Sequence, residues 1–281
     1  MTEKRAVRSG YADLNGARFF YEVAGEGEPL LLVHAGIADR RMWDKQFEVF
    51  AQDYMVVRYD RRGFGRTAMV AGPYSHHLDL YELLRFLGFK RAVLLGCSQG
   101  GKTVLDLALG HPGMVKALVL VASALGGFTF PGEPPKQYAE LEIAEEQGDI
   151  ARVNELELQI WVDGQHRTPQ QVDREMRELV REMNLIALLA PADLGSEQPL
   201  EPPAVNRLDE IHVPTLVIVG DLDTAKTLAA ADLLARQITG AQKVVINGTA
   251  HLPNMEQPEE FNRHVLAFLP ENSSLNIAEK L

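Results

Sequence analysis

The sequence predicts an α/β fold, a mostly parallel sheet flanked by helices and carrying a helical insert. Three observations lead there. Uniformly apolar runs of strand length recur along the chain, and apolarity without alternation marks strands covered on both faces. Helical stretches separate these runs, and strand, helix, strand in succession builds parallel pairs. The alternation then stops between about Gly126 and Pro203, where the residues read as helices alone.

Taken in order, Asn15-Gly16 lies between extended runs at Ala6 to Leu14 and Ala17 to Val23, the signal of a tight antiparallel hairpin. Buried strands are expected at Pro29 to His34, Tyr54 to Tyr59, Arg91 to Gly96, Val115 to Ser123, Thr215 to Gly220 and Gln242 to Ile246. The helices expected between them run roughly from Trp43 to Ala51, His76 to Leu87, Gln99 to Leu109, Lys226 to Ile238 and Pro258 to Phe268. Within the insert, Val172, Met176, Leu179, Val180 and Met183 fall on one helical face, a stripe that core packing explains. Proline and glycine clusters at 131–135 and 199–203 mark its edges. The division expected is therefore a core of residues 1–125 and 204–281 with a cap of 126–203 lying over the catalytic end of the sheet. The polar tail after Pro270 is expected to be loosely held.

The chain has 281 residues, and its 28 lysines and arginines against 39 aspartates and glutamates give a net charge of −11. Such a charge repels a phosphate backbone, which argues against nucleic acid as a partner. With Cys97 as the only cysteine no intrachain disulfide can form, and the thiol reads as a small buried filler. No apolar run approaches the length of a membrane span and no h-region follows the start, so a cytoplasmic protein with no membrane partner is expected.

Chemistry is concentrated in Gly96-Cys97-Ser98-Gln99-Gly100, where a serine sits in a strand-to-helix turn too tight for side chains at the glycine positions. A serine hydroxyl needs a base, and the base needs an acid to fix its tautomer. Two downstream runs supply them, Val219-Gly220-Asp221-Leu222-Asp223 and Gly248-Thr249-Ala250-His251. Each follows a strand, so in a parallel sheet both lie on the same edge as Ser98. Alone, Asp223 with Thr224 could cap a helix, Asp221 could hold a turn, and His251 could be an ordinary loop residue. Together they make an ordered set of Ser98, Asp223 and His251. No histidine shows metal-ligand spacing, so no metal site is expected. The oxyanion of acyl transfer calls for two amides, one from Gln99 and the other from the loop His34-Ala35-Gly36-Ile37, with Gly36 preferred and Ile37 the alternative if the register shifts by one. His34 reads as a loop support. Gly63-Phe64-Gly65-Arg66-Thr67-Ala68 fits a dinucleotide-binding pattern, but Ala71-Gly72-Pro73 interrupts the helix that such a loop must open.

From about Tyr11 to Phe268 the chain resembles the α/β-hydrolase superfamily, through the Ser98 turn, His34 to Trp43, Asp60-Arg61-Arg62-Gly63-Phe64-Gly65, and Gly248 through His251-Leu252-Pro253 to Glu256. The resemblance implies a serine mechanism without a cofactor, and the family pattern places the acid at Asp223 rather than Asp221. Ser98 sets the chain apart from the branches that carry aspartate at this turn. Two positions depart from the pattern: Ala35 stands for a common glycine and Gln99 for a common methionine. What the resemblance implies is an enzyme cleaving small carboxylic esters or lactones, with carbon–carbon bond hydrolases and cofactor-free perhydrolases among the similar capped members. Outside enzymology, the same fold could serve a small-ligand receptor without turnover. Ile37, Phe128, Trp161, Met183 and Leu252 are the candidate substrate-lining residues.

Overall fold

A computed structural model describes residues 6–191 and 194–269, so the tail after Pro270 lies outside the described residues. Strands form at β1 (Arg8–Leu14), β2 (Ala17–Ala24), β3 (Pro29–Val33), β4 (Met55–Tyr59), β5 (Gly72–Tyr74), β6 (Ala92–Cys97), β7 (Val115–Val121), β8 (Gly195–Glu197), β9 (Thr215–Gly220) and β10 (Gln242–Ile246). The helices are α1 (Asp44–Phe50), α2 (His76–Phe86), α3 (Gln99–Gly110), α4 (Tyr138–Gln147), α5 (Ile150–Leu158), α6 (Arg174–Leu188), α7 (Ala225–Gln237), α8 (Pro253–Glu256) and α9 (Pro258–Phe268). Asn15 and Gly16 both take positive φ, which is what a two-residue hairpin turn between β1 and β2 requires.

Eight strands form one sheet in the order β1-β2-β4-β3-β6-β7-β9-β10, antiparallel at β1–β2 and β2–β4 and parallel from β4 onward. Alternate residues of each central strand feed opposite faces. Leu30, Leu32, Val93 and Leu95 join one buried cluster, whereas Leu31, Val33, Ala92 and Leu94 join the other. Both faces are thus dry, which is why these strands read as unbroken apolar runs. The chain leaves β3 for β4 on one side and returns to β6 on the other, so the loops after β3 and β6 flank the crevice where the strand order reverses.

Three features differ from the sequence expectation. The helix foreseen from Trp43 begins as a 3₁₀ turn, Arg40–Trp43, capped by the Asp39 carboxylate. The stretch between β7 and β9 contains a short strand, β8, which pairs in parallel with β5; at three residues each, neither carries a readable period. Finally, α5 runs on into a π turn, Gln159–Asp163, a local widening that side-chain periodicity does not announce. In α6 the foreseen stripe is core packing, with Met176, Val180 and Met183 buried.

The Ser98 turn is set by close approach. A Cβ on Gly96 would stand 2.2 Å from the Gly100 carbonyl oxygen, and one on Gly100 would stand 2.2 Å from that of Val33. Both obstacles are backbone, which cannot swing aside. Gly100→Ala is therefore expected to destabilise the fold by more than about 3 kcal/mol, read as a lowered denaturant midpoint. A wild-type midpoint would mean that α3 can slide away from β3 at little cost.

Candidate active site

Ser98 follows β6 and precedes α3 with φ 55° and ψ −116°, a conformation an L-residue adopts only when its surroundings enforce it. Its amide donates to the Val121 carbonyl at 2.8 Å, and its carbonyl accepts from Ala124 and Lys102 at 3.0 Å. These backbone bonds hold the turn between β6 and α3 in place. Neighbouring Cys97 is fully buried, and burial pushes its thiol well above the usual range, in keeping with a filler.

Asp223 lies in the loop after β9 and His251 in the loop after β10, and both are buried. His251 Nδ1 and Asp223 Oδ2 are 2.8 Å apart. The other carboxylate oxygen, Oδ1, accepts from the Thr224 amide at 2.6 Å, while Thr224 itself caps α7. Asp221 instead accepts from the Gly248 amide at 2.6 Å and ties the two loops together. The His251 loop is also braced by Glu256, which accepts from the Ala250 amide at 2.7 Å and pairs with Arg167 at 2.6 Å. With Nδ1 committed to Asp223, Nε2 is the ring nitrogen left for chemistry.

Ser98 and His251 line one cavity of about 400 Å³, within the range of small-molecule sites. Its remaining walls come from the segment after β7 (Ala122 to Leu125), the start of α7 with its cap (Thr224 to Thr227), and the insert, among others through Phe128, Phe130, Tyr138 and Trp161. The π turn sets Trp161 against His251, ring centroids 4.5 Å apart. Of the foreseen lining residues, Phe128 and Trp161 lie in this wall. Ile37, Met183 and Leu252 do not: all three are buried in the core cluster that the insert shares with the sheet, and the Met183 sulfur meets the Asp39 amide at 3.5 Å. Their apolarity serves packing. Lining residues that sequence reasoning missed include Tyr138, Thr224 and Lys226. The only signal pointing to the first was its place just after the proline-rich stretch.

Gly36 and Ile37 occupy a turn closed by the Ala38 amide on the Ala35 carbonyl at 3.4 Å. Gly36 abuts the Gln99 side chain, since a Cβ there would lie 2.7 Å from Gln99 Cδ. The Gly36 loop is thus packed on the side chain of the residue that follows Ser98, while neither Gly36 nor Gln99 is among the residues lining the cavity of Ser98 and His251. His34 supports this loop: its Nδ1 meets the Ala35 carbonyl at 2.8 Å, and Nε2 accepts the Arg61 amide at 2.9 Å. The glycine-rich run at Gly63 folds onto a carboxylate and not around an open anion site, because Asp60 accepts from the Arg40 and Arg66 amides at 3.0 and 2.8 Å.

Burial holds His34 neutral, with its pKa lowered to about 3, and burial likewise lowers that of His76 well below the ordinary value of 6.5. In the unfolded chain both titrate near 6.5. As pH falls through that value the unfolded state takes up protons that the fold refuses, so the stability present above pH 6.5 is progressively lost down to about 3. Asp60, raised to about 6 chiefly by burial, acts in the opposite sense between about 6 and 3.8. His77 is lowered by burial as well, and together the three histidines outweigh Asp60 and the smaller burial-driven rises of Asp106, Glu157 and Glu256. The melting midpoint is expected to be flat above pH 7 and to fall steadily below 6.5, with a loss of a few kcal/mol by pH 4. A midpoint unchanged across that range would contradict the neutral assignment.

A model of the alpha/beta hydrolase family matches residues 30–264. The chain is 26% identical over 231 residues to a 3-oxoadipate enol-lactonase of Acinetobacter baylyi, covering 81% of this chain and 83% of the relative. It is 28% identical over 246 residues to a pimeloyl-[acyl-carrier protein] methyl ester esterase of Aeromonas hydrophila, covering 84% and 93%. Among solved structures, an enol-lactonase from Burkholderia xenovorans superposes with a TM-score of 0.74 at 25% identity, covering 92% of this chain and 99% of that one. Among the described residues, no helix is long and apolar enough to cross a membrane.

Proposed function

The chain belongs to the alpha/beta hydrolase family, and from that premise we propose that it is a serine hydrolase of small carboxylic esters or lactones, working through an acyl-enzyme. One observation carries the proposal: His251, paired with the buried Asp223 at 2.8 Å, lines one cavity with a serine in an enforced backbone conformation. The lactonase and esterase names of similar proteins are the reason for putting esters and lactones first.

In this mechanism Ser98 Oγ attacks the carbonyl carbon while His251 Nε2 takes its proton. Negative charge moves onto the carbonyl oxygen, held by the amides of Gln99 and Gly36 and by the positive end of α3. The tetrahedral intermediate collapses, His251 passes the proton to the departing alkoxide, and the acyl group stays on Ser98. Water then repeats the sequence with His251 as base, and the carboxylic acid leaves. Asp223 keeps the Nδ1 proton in place and stabilises the imidazolium as it forms. Every role falls to a side chain or an amide, so the reaction calls on no cofactor. The segment 126–203 acts as a cap whose Phe128 and Trp161 limit substrate size, and the protein works in the cytoplasm with its single thiol buried.

The test is a fluorophosphonate probe followed by intact mass and site mapping, beside a panel of 4-nitrophenyl esters and lactones of graded length. One adduct at Ser98 and turnover of short members are expected. Neither adduct nor turnover would leave a ligand-binding protein in its place.

A further inference from the structure

Arg61, in the loop after β4, is only 1% exposed. Other buried arginines in this fold meet a carboxylate: Arg62 pairs with Asp79 at 2.6 Å and Arg177 with Asp163 at 2.8 Å. For Arg61 the contact is a neutral one, Nη2 donating to Gln99 Oε1 at 3.2 Å, while the guanidinium lies over the Phe64 ring at 4.7 Å. Its Nε and Nη1 are buried with no hydrogen-bond partner among the described residues. The imidazoles that feel its charge, His34 and His76, are neutral. Glu197, the carboxylate among the groups acting on it, is 41% exposed and held by Lys102 at 3.4 Å. A buried arginine stays protonated, and leaving such a cation without an anion is among the costliest arrangements a fold can keep.

The place of this cation matters as much as its lack of a partner. Gln99 is the first residue of α3, directly after Ser98, so Arg61 lies one side chain away from the nucleophile and beside a helix N-terminus. The carboxamide over Nη2 belongs to an exposed side chain with three rotatable bonds, and it must leave its contact with Gly36 to admit a ligand. A carboxylate in its stead would supply the missing anion and could accept from two guanidinium nitrogens at once.

We propose that the enzyme selects esters or lactones bearing a second, non-reacting carboxylate, and that Arg61 recognises this group once Gln99 withdraws. The inference rests on the serine hydrolase reading. Arg61 takes no part in bond making; it is a specificity residue that lowers KM for anionic substrates.

Two matched pairs test it, each carrying the charge on one side of the scissile bond: mono(4-nitrophenyl) glutarate against 4-nitrophenyl valerate, and 4-carboxyphenyl acetate against phenyl acetate. The wild type is expected to favour the anionic member of at least one pair by 10-fold or more in kcat/KM, mainly through KM, with free glutarate competing. Arg61→Gln should erase the preference. Gln99→Glu, which sets a carboxylate of the chain's own on the guanidinium, should erase it too and hold or raise the melting midpoint, so the test survives if Arg61→Gln does not fold. Neutral esters turned over with no preference in either pair would overturn this inference alone, as would a preference that persists in Gln99→Glu. Absence of all turnover and of labelling at Ser98 would instead sink the hydrolase reading beneath it.

Discussion

Ser98→Ala is expected to lower kcat for an activated ester by up to about 10⁶-fold and to abolish fluorophosphonate labelling, with the melting midpoint nearly unchanged. The fold should tolerate the change because the turn is held by backbone bonds to Val121, Ala124 and Lys102, none of which involves the hydroxyl. The positive φ at this position costs alanine about what it costs serine. Chemistry should not tolerate it. Without Oγ no acyl-enzyme forms, and water would have to attack directly, aided only by the two amides and by binding, which leaves a residual rate on the order of 10³ to 10⁴ over solution. Turnover at the wild-type rate, with the variant's mass verified, would remove Ser98 from the mechanism.

Much of the architecture was legible because burial on both faces leaves a strong mark: the runs at β3, β6, β7 and β9 are apolar at nearly every position. Residues adjoining such strand ends can be placed on one edge of the sheet from the sequence alone, and the structure sets His251 and Asp223 within hydrogen-bond reach there. What the sequence obscured has a common cause. Ile37, Met183 and Leu252 are apolar residues near the crevice, and apolarity alone cannot say whether a side chain faces a cavity or the core behind it. The π turn carrying Trp161 and the three-residue pairing of β5 with β8 arise from tertiary packing, which overrides local period. Arg61 escaped notice for a related reason. Within Asp60-Arg61-Arg62 both arginines look alike, and only coordinates reveal that Arg62 has Asp79 while Arg61 has a glutamine.

Asp223→Asn is expected to cost about 10⁴-fold in kcat with little loss of structure, and the reason lies in the two bonds the carboxylate makes. Asp223 accepts on both oxygens, from the Thr224 amide at 2.6 Å and from His251 Nδ1 at 2.8 Å. An asparagine offers one acceptor and one donor in the same space. The Thr224 amide cannot change its role, so the asparagine oxygen must stay with it and the NH₂ group must face His251. Nδ1 is then forced to accept, the ring proton moves to Nε2, and the nitrogen that should take the Ser98 proton already carries one. The opposite amide orientation would set two N–H groups against each other in a buried site, at a cost of about 1–3 kcal/mol. Slowed labelling by the fluorophosphonate in parallel with kcat, at a near-wild-type melting midpoint, is the result that fits this account. If Asp223→Asn kept full activity, the histidine would owe neither its tautomer nor its charge stabilisation to this carboxylate, and the acid of the mechanism would have to be sought elsewhere.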